Sequence, residues 1–150
     1  MSSSNIRPFV QGANILILEK NDKLYGMTFA RGMLSDYNSA LLLIGEQSET
    51  GKQLEIGDEI SVSCLAAGQG DIASLFGEKH TSEINKFADM TMFTKFADRL
   101  VIKNAAKLTL MKIRDIKFIN VGTKDKLVIC DIIKFRKNKF GELIYEKEIE

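Results

Sequence analysis

Histidine, cysteine and proline are nearly missing from this chain, and each scarcity removes a class of chemistry. The only histidine is His80, the only proline is Pro8, and the only cysteines are Cys64 and Cys130. One histidine and two distant cysteines fit no usual zinc spacing, so no metal site is expected. His80 lies in Gly77-Glu78-Lys79-His80-Thr81-Ser82, a surface-like stretch that reads as a solvated loop rather than a positioned general base. No catalytic side chain is therefore assigned. Both cysteines sit in apolar runs, Ile60 to Leu65 and Leu127 to Asp131, where a thiol behaves as a small buried hydrophobe. Thiols of that kind point to a reducing, cytoplasmic setting.

A dominant charge is missing as well. Lys plus Arg is 21 and Asp plus Glu is 20, a net charge of +1, which offers no long-range attraction to nucleic acid or an anionic membrane. No window approaches 18 uncharged apolar residues, and Met1 to Asn5 carries no apolar signal-like core. Neither a nucleic-acid partner nor a membrane is expected. The basic, aromatic stretch Lys134-Phe135-Arg136-Lys137-Asn138-Lys139-Phe140 looks locally like a base-stacking patch. It also fits a charged hairpin turn balanced by Glu142, Glu146 and Glu148.

What the chain does have is short apolar runs separated by turns. A chain of 150 residues reads as one domain and buries about 68–70% of its unfolded surface without staples. Asn14 to Glu19 and Leu24 to Ala30 flank Lys20-Asn21-Asp22-Lys23, a loop suited to a hairpin. Ser39 to Gly45 contains Leu41-Leu42-Leu43-Ile44, apolar on both faces like a buried strand. Ile60 to Leu65, Lys107 to Met111, Ile113 to Val121, Lys126 to Phe135 and Leu143 to Tyr145 follow. This spacing predicts a mainly β barrel or sandwich. Two short helices are expected, Thr50 to Ile56 stopped by Gly57, and Asp71 to Phe76 with Gly77 just beyond. Residues 78–98, with Phe87, Phe93 and Phe96 scattered among polar residues, read as a long loop or helix excursion.

Two segments carry the chemical information. Tyr25 to Asp36 begins as a strand and turns small and polar, with Gly26 and Gly32 permitting close backbone approach. Gly45 to Lys52 joins a buried strand to a helix start, where Ser48 and Thr50 hydroxyls and first-turn N–H groups favour an anion such as phosphate. Taken singly, each also reads as ordinary turn chemistry, with Ser48 as an N-cap and Gly26 as a bulge.

In order, these segments resemble the flavin reductase-like family of FMN-binding split barrels. The pattern stands here as Tyr25-Gly26-Met27-Thr28, Leu34-Ser35, the strand Leu41 to Ile44, Ser48-Glu49-Thr50, Val62-Ser63-Cys64-Leu65 and Gln69 to Gly77, with Lys86-Phe87 following. The match is close over residues 14–98 and in outline over 99–136. The resemblance implies a Greek-key split β-barrel homodimer with FMN near its interface. Cofactor contacts are implied at Met27, Thr28, Phe29, Ala30, Arg31, Gly32, Leu34, Ser35, Gln47, Ser48, Thr50, Cys64 and Phe76. Ser48 and Thr50 would hold the phosphate, and the helix from Gln69 to Phe76 would close over the cofactor or reach it from the second subunit.

The implied activity moves hydride or electrons from NADH or NADPH through FMN to a flavin, a metal centre or a redox protein. Two features depart from the family. Asp36-Tyr37-Asn38 replaces Asp-Pro-Pro, and Val121 to Lys126 lacks the Gly-Asp-His common before the late strand. The nicotinamide donor is therefore left open, beside a flavoredoxin-like FMN carrier and a non-catalytic barrel that binds nucleic acid or protein.

Overall fold

The computed structural model describes residues 12–36, 38–45, 48–78, 86–121 and 123–138. Strands dominate: β1 (Asn14–Lys20), β2 (Lys23–Phe29), β3 (Gly32–Asp36), β4 (Ser39–Gly45), β5 (Glu59–Cys64), β6 (Phe93–Phe96), β7 (Arg99–Ile102), β8 (Lys107–Val121) and β9 (Thr123–Lys137). Helix α1 (Glu49–Gln53) lies between β4 and β5, and α2 (Gly70–Glu78) between β5 and β6. Seven strands form one antiparallel sheet in the order β2-β1-β5-β8-β9-β4-β3, while β6 and β7 pair separately. The ladder ends at β2 and β3, and no hydrogen-bonded pair between described residues closes it into a barrel.

The β1–β2 hairpin forms as the sequence predicts. Asn21 and Asp22 both take positive φ (54° and 62°), the backbone of a two-residue turn whose twist matches the flanking strands. Period-2 alternation then sorts β1 between two cores. Leu16 and Leu18 join one apolar cluster with Tyr25, Phe29, Leu42, Ile44, Val62, Ile113 and Val128. Because β2 and β4, near opposite ends of the sheet, share that cluster, the sheet curls around its inner face. Ile15 and Ile17 point the other way, into a second cluster with Phe76, Phe87, Phe93, Phe96, Val101 and Leu108. The run Ile15-Leu16-Ile17-Leu18 is apolar on both faces because β1 is covered on both.

Several expectations need correction. Residues 86–96 are not an irregular excursion: a short 3-10 turn (Met90–Met92) leads into β6. Phe87, Phe93 and Phe96 are buried, and the rings of Phe76, Phe87 and Phe93 meet at centroid distances of 5.4–6.2 Å. Their spacing carries no helix or strand period because the residues come from a turn and a short hairpin. The first helix stops at Gln53, and Gly57 (φ 97°) instead turns the chain so that its N–H donates to the Ile113 carbonyl at 2.8 Å. Gly77 lies inside α2 rather than beyond it, and a Cβ there would meet the Thr28 side chain at 3.4 Å, an ordinary packing distance. The two runs expected over 107–121 are one strand, bent by register shifts at Leu110/Met111 and Ile113/Asp115. Strand β3 is an addition to the expected set, since Gly32 to Asp36 carries no alternation to announce it. Gln47, His80 and Leu143 to Tyr145 lie outside the described residues.

Candidate functional site

The two chemically informative segments meet at the edge of β2. Ser48 caps α1: its Oγ accepts from the Gly51 N–H at 2.8 Å and donates to the Gly45 carbonyl at 3.0 Å. The same hydroxyl lies 3.6 Å from the Met27 sulfur. Thr50 is 2% exposed and donates from Oγ1 to the Gly26 carbonyl at 3.0 Å. Its hydroxyl thus ties α1 to β2 and faces inward, whereas Ser48 stays half-buried at the cap. Gly51 is demanded by close packing, since a Cβ there would fall 2.3 Å from the Gly45 carbonyl oxygen. The buried Lys126 ammonium, from β9, donates to the Gly51 carbonyl at 2.7 Å and holds the turn from below.

Alternation divides β2 between the two cores. Met27 and Phe29 face the inner cluster, and Thr28 turns outward to donate to the Ala73 carbonyl of α2 at 2.7 Å. The chain then leaves cover, and every residue from Ala30 to Asp36 is exposed. The Arg31 carbonyl accepts from the Leu43 N–H at 2.8 Å, and its guanidinium lies 3.9 Å from the carboxylate of buried Asp125. Gly32 sits against Phe29 and Leu42, which an added Cβ would meet at 3.3 and 3.1 Å. Met27, Arg31, Gly32, Ser48 and Thr50 therefore belong to one connected region around α1 and the β2–β3 connection.

Two further expected residues take other positions in the sheet and its cover. Phe76 is buried on the outer side of β2, where its ring covers Gly26 so closely that a Cβ would come within 2.5 Å of Cε1. Cys64 shares a row with Asn14 and Phe29 but stands two strands from β2, roughly 9–10 Å away by strand spacing. Gln69 braces the entry to α2, its side chain accepting from the Ala66 N–H at 2.8 Å and donating to the Lys103 carbonyl at 2.9 Å. Burial pushes the Cys130 thiol up to about 12, so it stays protonated and unreactive. Asp125 and Lys126 enter the sequence reading only as a departure from a family pattern. The signal available is the charged run Lys124-Asp125-Lys126 set directly before the apolar stretch Leu127 to Cys130. Among the described residues, no group of three His, Cys, Asp or Glu side chains could hold a metal ion.

A flavin phosphate fits this region in part. The Arg31 cation and the first-turn N–H groups of α1 not taken by Ser48 are donors an anion requires, and the Ser48 hydroxyl would have to turn from the Gly45 carbonyl to join them. The exposed backbone from Ala30 to Asp36 offers a polar ledge beside it.

No protein-family model and no curated protein matches the chain. Solved structures do. The NADH:FAD oxidoreductase SgcE6 of Streptomyces globisporus superposes with a TM-score of 0.77 at 18% identity, covering 90% of this chain and 80% of that one. Flavin reductase PheA2 covers 100% of each chain with a TM-score of 0.74 at 18% identity. The styrene monooxygenase flavin reductase of Pseudomonas putida S12 gives 0.71 at 16% identity, covering 91% of this chain and 86% of that one. The fold of this chain is the fold of the flavin reductases. No described helix is long and apolar enough to cross a membrane.

Proposed function

We propose that this chain is an FMN-binding oxidoreductase of the flavin reductase type, working in the cytoplasm. It would take electrons from NADH or NADPH and pass them to a flavin, a metal centre or a redox protein. The observation that carries this reading is the meeting of Gly26–Met27 with Ser48–Thr50 beside the exposed Ala30–Asp36 ledge, within a flavin reductase fold. Bound flavin supplies the hydride and electron chemistry; the protein supplies position and access. In this reading Ser48 and Arg31 hold the phosphate. Thr50 acts one step back by fixing the Gly26 carbonyl, and the Ala30–Ser35 backbone borders the ring and ribityl chain. Phe76 supports the far side of β2, and Gln47 and Cys64 remain candidate contacts. The curled sheet is read as a split barrel. A homodimer fits the strand β3, exposed at all five residues with Met33 at 65% and Leu34 at 64%.

The visible spectrum of the purified protein, before and after anaerobic NADH or NADPH, tests the whole reading. A flavin band bleached by either donor supports the reductase; a band that neither bleaches indicates a carrier. A protein that neither holds added FMN nor gains thermal stability from it would refute both. The phosphate assignment has its own test. Ser48→Ala with Arg31→Ala is expected to cut the preference for FMN over riboflavin by about tenfold or more, because only FMN carries the charge those groups would meet. An unchanged preference removes both residues from the site.

A further inference from the structure

We propose that Lys86 is a positioning residue: it shares the Gly26 carbonyl with Thr50 and so sets the path of β2 through Gly26, Met27 and Thr28. This inference rests on the flavin reading for its functional half, since those residues border the proposed cofactor.

Lys86 is 4% exposed, and its ammonium donates to two backbone carbonyls of different elements, Gly26 of β2 at 3.2 Å and Phe76 of α2 at 3.2 Å. β2 ends the sheet, so side chains rather than another strand must satisfy its outer edge. The Gly26 carbonyl takes two side-chain donors, Thr50 and Lys86. The Phe76 carbonyl belongs to the last turn of α2, a turn without a basic residue of its own. A cation arriving from beyond the helix meets the negative end of its dipole there. The Phe76 ring lies 5.7 Å from the ammonium, adding an attraction through its face.

An uncompensated ammonium is costly to bury, and burial does push Lys86 below the ordinary lysine value. A methionine would fill the same space more cheaply. What methionine cannot do is bond two carbonyls at once. The lysine therefore trades stability for a fixed spacing among α1, β2 and α2, and β2 is the strand that leads into the exposed ledge.

The test uses the full chain with Lys86→Met, Thr50→Val and the double variant. Phe93→Leu serves as a control that loosens the same aromatic cluster without touching the Gly26 carbonyl. Amide exchange in Tyr25–Phe29 should quicken about tenfold in Lys86→Met, and in the double variant by more than the two single effects multiplied, because only there is the shared carbonyl left unpaired. Bound FMN should show a changed visible circular dichroism and about tenfold weaker affinity in Lys86→Met, with both near wild type in Phe93→Leu. Unchanged exchange in Lys86→Met, multiplicative single effects, or equal flavin changes in Phe93→Leu would each overturn the proposal. If the wild-type chain binds no FMN, the functional half falls with the flavin reading. The exchange measurements then decide the structural half alone.

Discussion

The two ends of the large sheet are finished in opposite ways. At β2 the edge is closed from within: Thr50 and Lys86 cap the Gly26 carbonyl, Thr28 reaches α2, and Phe76 seals the face. At β3 nothing described covers the strand, and Met33 and Leu34 face outward. An edge satisfied by its own chain contributes to folding. An edge left apolar and open is free to meet something else. The candidate site lies where the chain passes from one end to the other, at Ala30 and Arg31.

The largest blow to the closed end is Phe76→Ala. Removing that ring empties the space shared with Phe87 and Phe93 and is expected to cost about 3–5 kcal/mol in urea unfolding. A loss below about 1 kcal/mol would show that the second cluster is not a true core. Gly26→Ala comes next. Its Cβ would press on the Phe76 ring at 2.5 Å, and the flexible part of that contact is small, so about 1–3 kcal/mol should be lost. Within the inner cluster, Cys130 offers a pH test. Its folded pKa of about 12 exceeds the ordinary thiol value of 9.0, so above pH 9 the unfolded chain loses its proton first. Stability should then decline as pH rises from 9 toward 12, and Cys130→Ala should flatten that slope. The smallest effect belongs to the open end. Leu34→Lys should change unfolding of a dilute sample by no more than about 0.5 kcal/mol, while shifting any dimer seen by sedimentation toward monomer. A large stability loss at low concentration would mean that β3 is covered within its own chain.

Much of the sheet is legible from local pattern. The β1–β2 hairpin, β4 and β5 are visible because alternation and turn residues act over neighbours in sequence. The convergence of Gly26 with Ser48 and Thr50 is readable only through the family resemblance, since nothing local links residues so far apart. Lys86 belongs to the matched pattern, yet what it does there is hidden, because a lysine in a polar stretch gives no sign that it will be buried against two carbonyls. Phe87, Phe93 and Phe96 look scattered for the same reason, because a cluster assembled from a turn and a hairpin has no period.

Taken alone, then, the amino-acid order determines where the strongly alternating strands and their tight turns form, since rotation about each residue and the alternation of its neighbours are local matters. Tertiary structure decides which hydroxyl faces in, which ring covers Gly26 and which edge stays open. Those outcomes depend on pairings between distant segments, whose free energy exists only once the sheet has curled and both of its faces are filled.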